Sequence, residues 1–107
     1  MQTLKLSIEN HIAHVTINRP EKANALNQIA WDEITEVFEY LDENPEVRVV
    51  VLEGGESKHF CAGIDLSLLM SVTQNTLSCE GKKRERLRKQ IVDLQSPINA
   101  IENCTKP

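Results

Sequence analysis

The apolar pattern changes period twice between Leu4 and Leu52, and that change limits what the chain can fold into. Leu4, Leu6 and Ile8 alternate with polar residues, and Ala13, Val15 and Ile17 do so again beyond "ENH". A two-residue period of this kind predicts an antiparallel hairpin with one face buried. "INRPEKANALN" breaks the alternation with Pro20, which has no N–H to give a ladder, and reads as a loop. From Asn27 the period becomes helical. Ala30, Ile34, Val37, Phe38 and Leu41 share one stripe, and Asp32, Glu33, Glu36 and Glu39 are assigned to the opposite, solvent face. Asn27 is the expected N-cap, and "ENP" the expected stop, because the residue before a proline avoids the α region. "VRVVVLEGG" then reads as a strand buried on both faces. Strand, helix and buried strand in that order predict an α/β fold built on a right-handed β-α-β crossover.

Farther on, Ser67 to Met70 looks like one helical turn and 71–81 like a polar loop. Leu87, Ile91, Leu94, Ile98 and Ile101 are spaced as the apolar seam of a long C-terminal helix. Pro97 interrupts it, either by kinking one helix or as the first residue of a second helix capped by Ser96. There is no internal repeat and no low-complexity stretch. Residues 1–107 read as one unit that is incomplete as a domain. A buried strand needs neighbours on both sides, and the seam needs a cover. The expectation is the first part of a larger α/β protein, prone to self-association through its seam and an unpaired strand edge.

Composition narrows the class. With 40% hydrophobic and 26% charged residues the 107-residue chain reads as soluble and globular. No apolar run approaches the roughly 18 residues of a membrane helix. "MQTLKLSIEN" resembles neither a secretory signal nor an organelle leader, so a cytoplasmic protein is expected. Cys61, Cys79 and Cys104 form no C-x-x-C, and His11, His14 and His59 form no ligand ladder. Free thiols in a reducing compartment and no structural metal follow. Net charge is −4, yet half of the twelve Lys and Arg sit in "KKRERLRK", 82–89. The run reads as the solvated face of a helix. It holds no aromatic to stack on a base, so nucleic acid is not the expected partner.

"GGESKHFCAGIDL" is where chemistry is expected. It follows the end of the buried strand, the place where open α/β sheets put ligands. Ala62 and Gly63 are small enough for a ligand to approach the backbone, and a helix begins near Asp65, leaving N–H groups without partners. The N–H of Ile64 is therefore a candidate donor to a carbonyl on which negative charge develops. The competing reading is a tight strand-to-helix turn with no ligand. His59 and Cys61 suggest a thiol–imidazole pair, but a small packed residue is the preferred role for Cys61. Trp31 and Phe38 are expected to pack against the core, and His11 and His14 to lie at the surface.

"NRPEKANALN" (18–27) and "HFCAGIDL" (59–66) together resemble the first two signature blocks of the crotonase superfamily, the enoyl-CoA hydratases and isomerases. The resemblance spans nearly the whole chain and implies the N-terminal portion of a crotonase-type spiral fold. It implies that the Ile64 N–H is one of two oxyanion-hole donors to a thioester carbonyl. Ala62, Gly63, Asp65 and Leu66 would line the same groove, with Asp65 as cap or packing anchor. Lys22, Ala23 and Ala25 would lie along the coenzyme A moiety, largely through backbone contacts. The wording "AGIDL" and the charged insertion before "INAIENCTKP" look most like the dienoyl-CoA isomerase branch. The implied chemistry is proton transfer beside an acyl-CoA thioester, with no cofactor beyond the coenzyme A of the substrate and with trimers or hexamers of the complete protein. The second donor and the catalytic carboxylates would lie in segments that follow the equivalent of Pro107, so the chain alone is expected to be inactive. The alternative is a non-catalytic interaction module that uses the basic helix.

Overall fold

A computed structural model describes residues 1–73 and 80–107. Strands β1 (Leu4–Glu9) and β2 (Ile12–Ile17) pair antiparallel, Leu4 opposite Ile17 and Glu9 opposite Ile12. Asn10 and His11 make the turn with φ of 51° and 65°, the doubly left-handed geometry of a two-residue hairpin loop. A 3-10 turn at Pro20–Lys22 leads to helix α1 (Gln28–Glu43). Asn27 caps α1 by accepting from the Ala30 N–H at 2.9 Å, and Asn44 ends it before Pro45. Strand β3 (Val49–Glu53) returns parallel to β2, so the sheet order is β1-β2-β3 with α1 as the crossover. Helix α2 (Leu66–Thr73) and helix α3 (Glu80–Asn103) complete the described chain.

The core lies between α1 and one face of the sheet. Ala30, Ile34, Val37, Phe38 and Leu41 meet Leu4, Ala13, Val15 and Ile17, with Val50 and Leu52 at its margin. Trp31 packs against this core, as expected. Several expectations need correction. Glu33 does not face solvent: it is buried, and it accepts from the Thr3 N–H (2.8 Å), the Thr3 hydroxyl (2.6 Å) and the Gln2 N–H (2.9 Å). Strand β3 is half-exposed rather than buried on both faces: among the described residues it pairs with β2 alone, and α1 packs on one face of the sheet. Its other edge gives one bond, from the Val50 N–H to the Pro107 carbonyl at 2.8 Å.

The turn expected at Ser67–Met70 is an eight-residue helix, so 71–73 are helical rather than loop, as are 80 and 81. The rest of that expected loop, 74–79 with Cys79, lies outside the described residues. Helix α3 runs unbroken through Pro97, so no second helix is capped by Ser96. Its covered line is also displaced from the expected seam. Pro97 is fully buried and Gln90, Leu94, Ile101 and Cys104 are half-buried, whereas Leu87, Ile91 and Ile98 are exposed. The Trp31 indole N–H donates to the Leu94 carbonyl at 2.7 Å, in the turn where Pro97 has no N–H to offer. The last residues fasten back onto the α1 end. The Thr105 N–H and hydroxyl both donate to Asp42 at 2.7 Å, and the Lys106 ammonium donates to the Asn44 and Val47 carbonyls at 2.8 and 2.7 Å.

Candidate functional site

The loop before α1 and the segment before α2 lie side by side, which brings the two motifs together. The Ala62 N–H donates to the Ala23 carbonyl at 3.1 Å, the Leu26 N–H to the Gly63 carbonyl at 2.8 Å, and the Asp65 N–H to the Leu26 carbonyl at 2.9 Å. The last two bonds form a parallel bridge between Leu26 and Ile64. In such a bridge the neighbours of the central residue bond the partner, while its own N–H and carbonyl turn the other way. The Ile64 N–H therefore faces away from Leu26, and among the described residues nothing accepts from it.

Gly63 makes this path possible by adopting φ +102°, a region L side chains rarely enter. A Cβ there would meet no atom within 4 Å, so the space beside Gly63 is open. Ala62 and Leu66 are exposed, and Leu66 shows 69% of its surface.

Asp65 starts α2. Its carbonyl accepts from the Leu69 N–H at 3.0 Å, and one carboxylate oxygen accepts from the Ser67 N–H (2.9 Å) and hydroxyl (2.7 Å). The other oxygen meets Arg19 Nη1 at 3.2 Å, a pair whose side chains are only 12% and 16% exposed. The Ser67 hydroxyl and N–H, and then the Arg19 guanidinium, hold the Asp65 carboxyl below the usual range. A carboxylate held in this way is a poor proton acceptor near neutral pH.

Lys22, Ala23 and Ala25 sit on the same loop, but their backbone is largely committed. The Lys22, Ala23 and Ala25 N–H groups donate to the Arg19, Pro20 and Lys22 carbonyls, and the Ala25 carbonyl accepts from Arg19 Nη1. What these residues retain for a ligand is the exposed Lys22 ammonium and the second lone pairs of the carbonyls.

Two residues without a sequence-based role organise the site. Asn24 is fully buried at φ +58°. Its Oδ1 accepts from the Arg19 N–H at 2.9 Å, and its amide NH₂ reaches the Gly54, His59 and Phe60 carbonyls at 2.8, 3.1 and 3.1 Å. Arg19 links the Ala25 carbonyl to Asp65. Both lie within the quoted loop motif. An Asn inside a tight loop is a sign of left-handed backbone, and an Arg before Pro is a charge in need of a partner.

No thiol–imidazole pair forms among the described residues. His59 is exposed, and the Cys61 sulfur accepts from the Gly63 N–H at 3.4 Å while packing against the core. The basic run forms the N-terminal part of α3, with Lys82, Arg84, Arg86, Arg88 and Lys89 exposed, as a solvated helix face requires. Among the described residues no group of His, Cys, Asp and Glu is arranged to hold a metal, and no helix is long and apolar enough to cross a membrane. A groove of about 460 Å³ between α1 and α3, lined by Trp31 and Leu94, contains none of the motif residues.

The chain is 38% identical over 109 residues to the Delta(3,5)-Delta(2,4)-dienoyl-CoA isomerase, peroxisomal, of Arabidopsis thaliana, covering 100% of this chain and 39% of that protein. It is 38% identical over 105 residues to the mitochondrial dienoyl-CoA isomerase of Homo sapiens, covering 94% of this chain and 31% of that one. Its fold superposes with a TM-score of 0.82 on an enoyl-CoA hydratase/carnithine racemase from Magnetospirillum magneticum, at 28% identity, over 100% of this chain and 37% of that one. The chain thus spans well under half the length of these relatives. Residues 7–103 match the family described as Enoyl-CoA hydratase/isomerase, and the chain belongs to that crotonase family, with the α/β fold of its N-terminal portion.

Proposed function

We propose that this chain carries the first half of an oxyanion hole in an acyl-CoA-processing enzyme, and that the complete protein isomerises dienoyl-CoA thioesters. The observation that carries the reading is the Ile64 N–H, turned out of the Leu26 bridge with no acceptor among the described residues. An enolate oxygen set before it would find a fixed donor in place of water, and loss of one such donor typically costs ~10²–10³ in rate. Ala62, Gly63, Asp65 and Leu66 line the approach in this reading. Lys22, Ala23 and Ala25 flank the coenzyme A moiety, with the Lys22 ammonium as the group free to meet phosphate. The names of the relatives favour dienoyl-CoA isomerisation over hydration. Coenzyme A enters as part of the substrate, and no further cofactor is invoked.

The complete protein is proposed to assemble as trimers or hexamers. A cytoplasmic setting remains part of the proposal, although two relatives are named as peroxisomal and mitochondrial; cell fractionation decides it. The 107-residue chain alone is expected to turn over neither an enoyl- nor a dienoyl-CoA, and turnover by purified chain free of host enzyme overturns that expectation.

Cys61 offers a ligation point for a direct test of the donor. Joining synthetic 61–107 with an ester in place of the Ile64 amide removes the N–H and keeps the side chain. The amide chain is expected to shift the carbonyl resonance of bound crotonyl-CoA labelled with ¹³C at the thioester, and the ester chain to bind without that shift. An equal shift from both chains defeats the reading.

A further inference from the structure

We infer that Arg19 and Asn24 are positioning residues that together aim the Ile64 N–H, an inference that rests on the proposed role of that N–H as donor to the thioester carbonyl. Residues 61–65 belong to no strand or helix, and among the described residues the bridge to Leu26 and the bond from the Ala62 N–H to the Ala23 carbonyl tie them to the loop before α1. These three backbone hydrogen bonds all run to residues 23–26, so the direction of the Ile64 N–H depends on how that loop and the two ends of the segment are held.

The upstream end is held by Asn24, whose amide NH₂ reaches the His59 and Phe60 carbonyls and, in the same grip, the Gly54 carbonyl at the end of β3. The downstream end is held by Arg19, whose Nη1 joins the Asp65 carboxylate to the Ala25 carbonyl. The two holders act as one piece. The Arg19 N–H donates to Asn24 Oδ1 at 2.9 Å, and the Asn24 N–H donates back to the Arg19 carbonyl at 2.8 Å. The unit therefore fixes Ile64 from four residues before it and from one residue after it. Both holders are sheltered from water, which keeps these bonds strong and leaves any unmatched group costly. A lysine at 19 would keep the charge, but its shorter side chain ends in an ammonium that does not reach the place where Nη1 meets both acceptors.

The test reads the direction of the Ile64 N–H itself. Residual dipolar couplings would be recorded on the ¹⁵N-labelled 107-residue chain and on Arg19→Lys, Arg19→Gln and Asn24→Asp, with the α1 couplings as the control for folding. Asn24→Asp keeps the acceptor for the Arg19 N–H and deletes the donors to Gly54, His59 and Phe60. With α1 couplings unchanged, the Ile64 coupling is expected to be altered or lost in Asn24→Asp and Arg19→Gln, and partly retained in Arg19→Lys. An Ile64 coupling equal to that of the unaltered chain, in any variant except Arg19→Lys that keeps its α1 couplings, overturns the inference. Should Arg19→Gln and Asn24→Asp lose the α1 couplings, Arg19→Lys decides. In it, an Ile64 coupling displaced from the unaltered value supports the inference, and an identical one overturns it.

Crotonyl-CoA labelled with ¹³C at the thioester carbonyl separates this inference from the reading beneath it. A carbonyl shift with the unaltered chain that disappears in Arg19→Gln, while coenzyme A itself binds equally to both, supports positioning. A shift retained in both overturns positioning and leaves the donor standing. No shift with the unaltered chain, though crotonyl-CoA binds, overturns the donor reading and with it the functional part of this inference.

Discussion

At Gly63 the constraint is torsional, whereas at Gly54 it is steric. Gly63 sits at φ +102° with open space where a methyl group would stand, so Gly63→Ala is expected to cost about 1–3 kcal/mol through backbone strain alone, read by urea denaturation. A Cβ on Gly54 would lie 2.8 Å from the Phe60 Cα, so the turn carrying the carbonyls of Asn24's grip would have to shift. Glu33 shows a different limit of sequence reading. Its position on the helical wheel is at the boundary between the apolar stripe and solvent, and nothing local says that the N-terminal strand will cross above it. Glu33→Ala leaves the Thr3 hydroxyl and the Thr3 and Gln2 N–H groups without their acceptor. The expected loss is about 1–3 kcal/mol at neutral pH, measured by the same denaturation. In the candidate site, the turn at Gly63 and the helix start at Asp65 were legible because a small pair before a helix start is a local signal. Asn24 and Arg19 were not, because the partners that join them to the second motif and to the end of β3 lie 30 to 46 residues away.

Among the elements, β1, β2 and α1 were legible from periodicity, since each buries one face and the alternation records which. Strand β3 was misjudged because an aliphatic run states only that burial is possible, and burial also needs neighbours on both sides. Helix α3 carries two adjacent stripes, one through Leu87, Ile91 and Ile98 and one through Gln90, Pro97 and Cys104, with Leu94 and Ile101 between them. Spacing alone does not choose between these. Helix α1 chooses the second, with Pro97 buried and the Trp31 indole bonded to the Leu94 carbonyl. Trp31→Phe keeps an aromatic ring and removes that donor. It is expected to destabilise the chain by about 1 kcal/mol and to raise hydrogen exchange in α3 around Pro97 more than in the hairpin. Equal protection of α3 in both proteins would assign its docking to apolar packing alone.

Across the molecule, the carboxylates of Glu33, Asp42 and Asp65 tie distant segments together, and these three are held below their usual range. Burial of Glu33 opposes its charge, but the hydrogen bonds from Thr3 and Gln2 and the N-terminal ammonium outweigh that and lower it. The Thr105 N–H and hydroxyl, with Lys106 nearby, lower Asp42, and Ser67 and Arg19 lower Asp65. One tie fastens the N-terminal strand to α1, one the residues after α3 to the end of α1, and one the loop motif to α2. A group with a depressed native pKa binds its proton more readily in the unfolded chain. The stabilisation is therefore complete above the ordinary carboxylate range, about pH 4, and is lost as pH falls through the native values. Thermal melting followed by circular dichroism is expected to be flat with respect to these groups from pH 7 to about 5 and to fall steeply below about 4. Asp42→Asn should lower the melting point at pH 7 and flatten the acid limb, because that carboxylate no longer contributes to it. The acid side also bears on association, since Leu87, Ile91 and Ile98 on α3 and Leu66, Leu69 and Met70 on α2 already lie exposed. Released ends would add strand edges to that apolar surface. Light scattering is thus expected to show association at pH 7 that grows as the melting point falls, and Ile91→Glu with Ile98→Glu should reduce it. A monodisperse monomer at both pH values would mean that the exposed α3 stripe is too narrow to drive contact between copies.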